Sequence, residues 1–229
     1  MGETPVFSAK MLAASAAALS FALVGPALAQ NNNNGKLAGP EQVVDSSAKV
    51  IDGFKSNPNF TKLLEKAKGV FIIPNLVKGA VVVGGSGGTG VLLAHDNGHW
   101  SDPAFMTLGS ISIGAQAGAK AGPVVMFLMT PKAVGDFTQS NNFSINGNAN
   151  LTIVKWAPNA QGSVGKGDVI VWSGQDGAFA GLDINGADVH ADTGYDKAYY
   201  NNRFTETKQI IESSATNANA SKLLTELPG

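Results

Sequence analysis

At Gly69 the spacing of apolar residues changes from that of a helix to that of a strand, and strand-like spacing then holds to about residue 184. Before it, residues 41–56 set Val43, Val44, Ser47, Ala48, Val50, Ile51 and Phe54 on one helical face, with Asp45, Lys49 and Asp52 opposite. A shorter helix follows the Asn57-Pro58 break, with Phe60, Leu63, Leu64 and Ala67 inward and Lys62 and Lys66 outward. After Gly69, residues 70–73, 80–83 and 91–94 are short apolar runs between Pro or Gly clusters, and 124–129 reads as a strand buried on both faces. Residues 151–156, 169–172 and 178–184 read as three more strands. In residues 110–121 Ile111, Ile113, Ala115, Ala117, Ala119 and Ala121 alternate with Ser, Gly, Gln and Lys, which predicts one strand with small side chains on both faces. Helical spacing returns over 195–213, and 221–227 adds a last amphipathic turn or two. Helices, then strands, then helices, without regular alternation, predict an α+β fold: a single domain with a mostly antiparallel β-sheet or barrel-like core, N-terminal amphipathic helices and a C-terminal helix.

Composition narrows the function. The 229 residues include 28 Gly and no Cys, with 16 Lys+Arg against 17 Asp+Glu and a formal net charge of -1. There is no overall basic field to gather nucleic acid. Without cysteine there is no disulfide, thiolate metal site, thiol nucleophile or lipidated cysteine anchor. At the start, Lys10 precedes an apolar, alanine-rich stretch over 11–24, Gly25-Pro26 breaks it, and Ala27-Leu28-Ala29 supplies a small-x-small cleavage pattern. Residues 1–29 therefore read as a secretory signal peptide, with initiation at Met1 or Met11, and 30–39 as a polar linker to a domain over 40–229. The expected location is exported, periplasmic or extracellular.

Three chemical motifs are outweighed by simpler readings. Gly84-Gly85-Ser86-Gly87-Gly88 has the form of a nucleophile elbow, and Gly85-Ser86-Gly87-Gly88-Thr89-Gly90 that of a dinucleotide loop. Both need a helix next, whereas 91–94 reads as a strand, so a glycine loop between two strands is preferred. His95 and His99 flank Asp96-Asn97-Gly98, a hairpin signal that keeps them off one helical face, and His190 is remote. Asp183, Asp188, Asp192 and Asp196 invite a calcium reading, but a loop started at Asp188 puts Thr193 where glycine is needed and lacks the closing Glu; solvated turn carboxylates are preferred. No catalytic residue, metal or cofactor is expected.

Charge distribution carries the stronger signal. Residues 49–78 hold six lysines against Asp52 and Glu65, while from residue 81 onward eight basic residues face twelve acidic ones. Lys49 has Asp45 and Asp52 on its own helix, which leaves Lys55, Lys62, Lys66, Lys68 and Lys78 as candidates for an external anion. Phe54, Phe60 and Leu64 either join the core or touch a bilayer's acyl boundary.

With these segments placed, the chain resembles the SYLF domain family, the lipid-binding group with Ysc84-type actin-binding eukaryotic members. The resemblance covers about residues 58–202. It rests on Ala67-Lys68-Gly69-Val70-Phe71-Ile72-Ile73-Pro74, the glycine-valine stretch 79–92, Trp100-Ser101-Asp102-Pro103-Ala104-Phe105, and Ser112-Ile113-Gly114-Ala115-Gln116-Ala117-Gly118. Residues 125–130, Gly177-Ala178-Phe179-Ala180-Gly181-Leu182-Asp183-Ile184-Asn185-Gly186, and Tyr199-Tyr200 extend it. It implies a non-enzymatic module that contacts membranes peripherally and binds anionic membrane lipids, with phosphoinositide-like head groups typical of eukaryotic members, through a basic N-terminal segment. Actin binding is not carried over to an exported chain. The alternative is an envelope scaffold or protein-interaction module.

Overall fold

The computed structural model describes residues 38–80, 83–113, 120–139, 142–144, 152–155, 167–173, 187–213 and 215–229. The leader, the linker up to residue 37 and the strand expected over 178–184 lie outside them. Two amphipathic helices come first, α1 (Pro40–Phe54) and α2 (Pro58–Lys66). Each has Pro in its first turn, where the missing N–H costs nothing. Asn57 caps α2 by accepting the Asn59 N–H at 2.9 Å.

Strands β1 (Gly69–Ala80), β2 (Val83–Asp96), β3 (His99–Trp100), β4 (Ala104–Ile113) and β5 (Lys120–Leu128) follow. Then come α3 (Pro131–Gln139), β6 (Asn142–Ser144), β7 (Ile153–Lys155), β8 (Val169–Ser173) and β9 (Asp188–Ala191), and the helices α4 (Thr193–Tyr199), α5 (Thr207–Glu212) and α6 (Ser221–Glu226). The sheet order is β6-β9-β4-β2-β1-β5-β8-β7, with β3 on β2. The pairings are antiparallel except β7 with β8. Among the described residues the sheet is open, which corrects the barrel-like expectation: β6 and β7 end the path without meeting.

The central strands are buried on both faces, which is why they read as continuous apolar runs. Alternate residues divide between two cores. Val70, Ile72, Val91, Leu93, Phe105, Val125, Phe127, Ile170 and Trp172 pack with α1, α2, α4 and α6. Phe71, Ile73, Leu92, Met106, Val124, Met126, Leu128, Val169 and Val171 pack with Ala133 and Phe137 of α3.

A bulge in β1 explains the glycine run of β2. Register passes from Ile72↔Val91 to Val77↔Gly87, so β1 has one residue more than β2 between these pairs; the same surplus stands against β5, around Pro74 and Asn75. The bulge admits a proline, which lacks a ladder donor, into the middle of a sheet. It also presses on β2: a Cβ at Gly90 would lie 2.1 Å from the Ile72 carbonyl oxygen, and one at Gly88 2.8 Å from that of Asn75. The glycines from Gly84 to Gly90 are therefore strand, not the expected loop.

Two other expectations are corrected for one reason: small or alternating residues hide a reversal. Ser110 and Ile113 belong to β4 and Lys120 and Ala121 to β5, which run in opposite directions, so 110–121 is not one strand. Ala80 closes β1 and Val83 opens the antiparallel β2, so residues 80 and 83 belong to different strands. The helix expected over 195–213 is broken into α4 and α5, with Asn201 and Asn202 at left-handed φ values of 53° and 61°. The Asn97-Gly98 hairpin forms as its sequence predicts, with φ values of 49° and 78°.

Candidate functional site

The five candidate lysines do not form one patch. Lys62 and Lys66 are exposed one turn apart on α2, and Lys68 is exposed in the link to β1. The peptide N–H of Lys68 donates to the Leu128 carbonyl at 2.7 Å, and its own carbonyl accepts the His95 N–H at 2.8 Å. The link is thereby fixed to the sheet while its side chain faces outward. Lys62, Lys66 and Lys68 make no ion pair among the described residues. Lys55 is different: its ammonium meets Glu226 of α6 at 2.5 Å. Lys78 lies ten residues along β1 from Lys68, roughly 30 Å away at the rise of a strand, in register with Ser86 and Lys120.

The apolar residues beside these lysines are core. Phe60 and Leu64 are buried, and the Phe60 ring packs 5.2 Å from Phe54, 5.1 Å from Phe127 and 5.4 Å from Trp172, centroid to centroid. Between α2 and α6 lies a recess of about 290 Å³, lined by Lys55, Thr61, Leu64, Glu226, Leu227 and Pro228. Its far wall is firmly held: Leu227 is buried, and the Trp100 indole N–H donates to the Pro228 carbonyl at 2.7 Å. Sequence gave no sign of Glu226 in this position, since 171 residues separate it from Lys55.

Behind this layer sits a buried polar group. Asp196 is fully buried and accepts the Phe105 N–H of β4 at 2.9 Å through Oδ1. Burial pushes its pKa up to about 7, the Phe105 N–H pulls it back in part, and Asp192 raises it further. Asp102 accepts the Asn217 N–H at 2.6 Å, and burial raises its pKa above the usual carboxylate range against that hydrogen bond. Tyr200 donates to the Pro103 carbonyl at 2.8 Å. These groups tie α4 and the segment before α6 to the start of β4.

Among the described residues the rejected motifs are not assembled; Asp183 lies outside them. Ser86 lies within β2, which continues as strand to Asp96, so no strand-turn-helix elbow forms there. His95 stacks on Trp100 at 4.5 Å, and its Nδ1 lies 3.3 Å from the Ala67 carbonyl oxygen. His99 is one register step away on β3, and His190 lies on β9. Asp188 also lies on β9, and Asp192 accepts the Tyr195 N–H as the cap of α4. Among the described residues no group of three or more His, Asp or Glu could hold a metal ion, and no helix is long and apolar enough to cross a membrane.

Comparison with known proteins gives the chain a family, through a match that begins beyond the lysine-bearing segment 55–78. The profile described as Ysc84, Las17-binding protein actin regulator, matches residues 109–228. Bovine SH3 domain-containing YSC84-like protein 1 is 27% identical over 129 residues, covering 55% of this chain and 38% of that protein. SH3 domain-containing protein PJ696.02 of Schizosaccharomyces pombe is 28% identical over 131 residues, 55% of this chain and 30% of its own. LAS seventeen-binding protein 3 of Saccharomyces cerevisiae is 25% identical over 155 residues, covering 65% and 33%. The match thus covers well under half the length of each relative. The matched profile spans more than half of the sequence, and the chain belongs to the Ysc84, or SYLF, family.

Proposed function

We propose that this chain binds anionic phospholipid at a membrane surface, without catalysis, through Lys62, Lys66 and Lys68. One observation supports the reading: these three lysines are exposed, make no ion pair among the described residues, and stand on a backbone that α2 and hydrogen bonds to the sheet hold in place. Lys55, closed by Glu226, and Lys78, at the far end of β1, contribute less to first contact than their place in the sequence suggests. With Glu65 counted against them, residues 62–68 carry a net charge of two, worth roughly 2 kcal/mol at an anionic surface. That is weak, salt-sensitive association, suited to a peripheral protein. If the leader at 1–29 directs export, the membrane met is an envelope surface from the periplasmic or outer side.

The test is co-sedimentation with phosphatidylcholine vesicles, with and without phosphatidylserine, at low salt. We expect preferential recovery with the anionic vesicles, reduced about tenfold or more in the Lys62→Gln, Lys66→Gln, Lys68→Gln variant. Equal recovery on both vesicle types, or no effect of the triple substitution, contradicts the reading.

A second reading has one observation in its favour. The Saccharomyces cerevisiae relative is named as a LAS seventeen-binding protein, so the same surface serving as a protein-interaction module is the alternative. Pull-down of one saturable protein partner, lost in the triple variant while vesicle recovery is unchanged, supports it.

A further inference from the structure

The recess beside α2 contains a basic group already occupied by an acid. Lys55 follows the last turn of α1, and its backbone is fixed from both sides: its N–H donates to the Ile51 carbonyl at 3.1 Å, and its carbonyl accepts the Thr61 hydroxyl at 3.2 Å. Only the side chain is left to move. Its ammonium meets Glu226 at 2.5 Å, with the two side chains 37% and 25% exposed. Glu226 is itself placed by neighbours anchored elsewhere, buried Leu227 and Pro228, held by Trp100. The rest of the lining is one hydroxyl, Thr61, and the apolar surface of Leu64, Leu227 and Pro228. A cation beside an apolar floor suits a phosphate group attached to an apolar chain, and the carboxylate stands where that phosphate would sit; the Thr61 hydroxyl, its proton given to the Lys55 carbonyl, holds the lysine's backbone in place.

We propose that Glu226 is an internal plug for a phosphate head-group site at Lys55, displaced when α2 meets an anionic bilayer. The inference rests on the membrane reading above and supplies its regulation. An ion pair this open to solvent on one side is worth little in water, so it is exchanged for another anion at small cost. Near a negative surface the exchange is driven from both sides: phosphate attracts Lys55, and the same field repels Glu226. Opening adds Lys55 to the charge presented by residues 62–68 and uncovers the apolar lining beside it. A zwitterionic surface supplies no such drive, so the plug keeps the protein off neutral membranes.

Glu226→Gln keeps the shape of the plug and removes its charge. Recovery of this variant on phosphatidylcholine–phosphatidylserine vesicles should rise several-fold to about tenfold over the unsubstituted chain. Lys55→Gln should abolish that gain, so that the double variant binds like Lys55→Gln alone. Thermal melting shows whether Glu226→Gln remains folded, with Glu226→Ala as a second variant. If the unsubstituted chain prefers anionic vesicles and loses that preference in the lysine-62, -66, -68 variant, yet Glu226→Gln changes nothing, the plug is overturned and the membrane reading stands. If neither the unsubstituted chain nor Glu226→Gln prefers anionic over neutral vesicles, both fall. Glycerophosphoserine in solution is the third arm: saturable binding to Glu226→Gln equal to that of vesicles overturns the bilayer as the source of the phosphate.

Discussion

A carboxyl buried with one strong donor is costly in its charged form, and Asp196 is such a group. One oxygen holds the Phe105 N–H; the other has no hydrogen-bond partner among the described residues. Its folded pKa, raised from 3.8 to about 7, means that the folded state holds a proton the unfolded chain has released throughout that interval. Stability from this group is therefore full below pH 3.8 and is lost as pH rises toward 7. Asp102 contributes with the same sign, its pKa being raised as well. Denaturant unfolding at a series of pH values should show the unsubstituted chain weakening between about pH 4 and pH 7, by on the order of a few kcal/mol. Asp196→Asn should flatten much of that slope; an unchanged slope contradicts the protonated, buried state. Nothing in the sequence marks this residue as buried. Its neighbours make it look like one of several solvated turn carboxylates, and the structure corrects that, because its burial is decided by β4, ninety-one positions away.

At the scale of elements, the bulge in β1 and the glycines of β2 are one device. Gly90→Ala sets a Cβ against a backbone oxygen in a central strand, where neither side can yield cheaply. Gly109→Ala, on β4 of the same sheet, meets nothing within 4 Å. We expect Gly90→Ala to lower the unfolding free energy by about 3 kcal/mol or more and Gly109→Ala to change it by less than about 1 kcal/mol. Urea denaturation of the pair checks this, and similar effects at both sites contradict the account. Much at this scale was legible. The apolar stripes of α1 and α2, the runs of β1, β5 and β8, and the Asn97-Gly98 turn each follow from spacing or turn chemistry alone. The failures come from residues with weak local preference. A two-residue period does not show where 110–121 reverses direction, and a glycine run reads as a loop until the bulge opposite it is known. The nine-residue α3 carried a local signal, Thr130 before Pro131, with the Thr130 hydroxyl accepting the Ala133 N–H at 3.2 Å.

At the scale of the molecule, the sheet separates two cores and keeps the N-terminal helices, α4 and α6 on one side. That arrangement decides which lysines can act together. Their abundance over 49–78 was plain in the sequence, but pairing was not: Lys55 is neutralised from the other end of the chain, and the length of β1 removes Lys78. What remains is a short basic stretch from α2 into the link before β1. The most direct test is amide hydrogen exchange on the full chain, followed by mass spectrometry, with phosphatidylcholine–phosphatidylserine vesicles and with phosphatidylcholine vesicles alone. New protection over residues 58–68 with the anionic vesicles, absent with the neutral ones, is the predicted result; protection confined to the far end of the sheet around Lys78 and Lys120, or equal with both vesicle types, would contradict it.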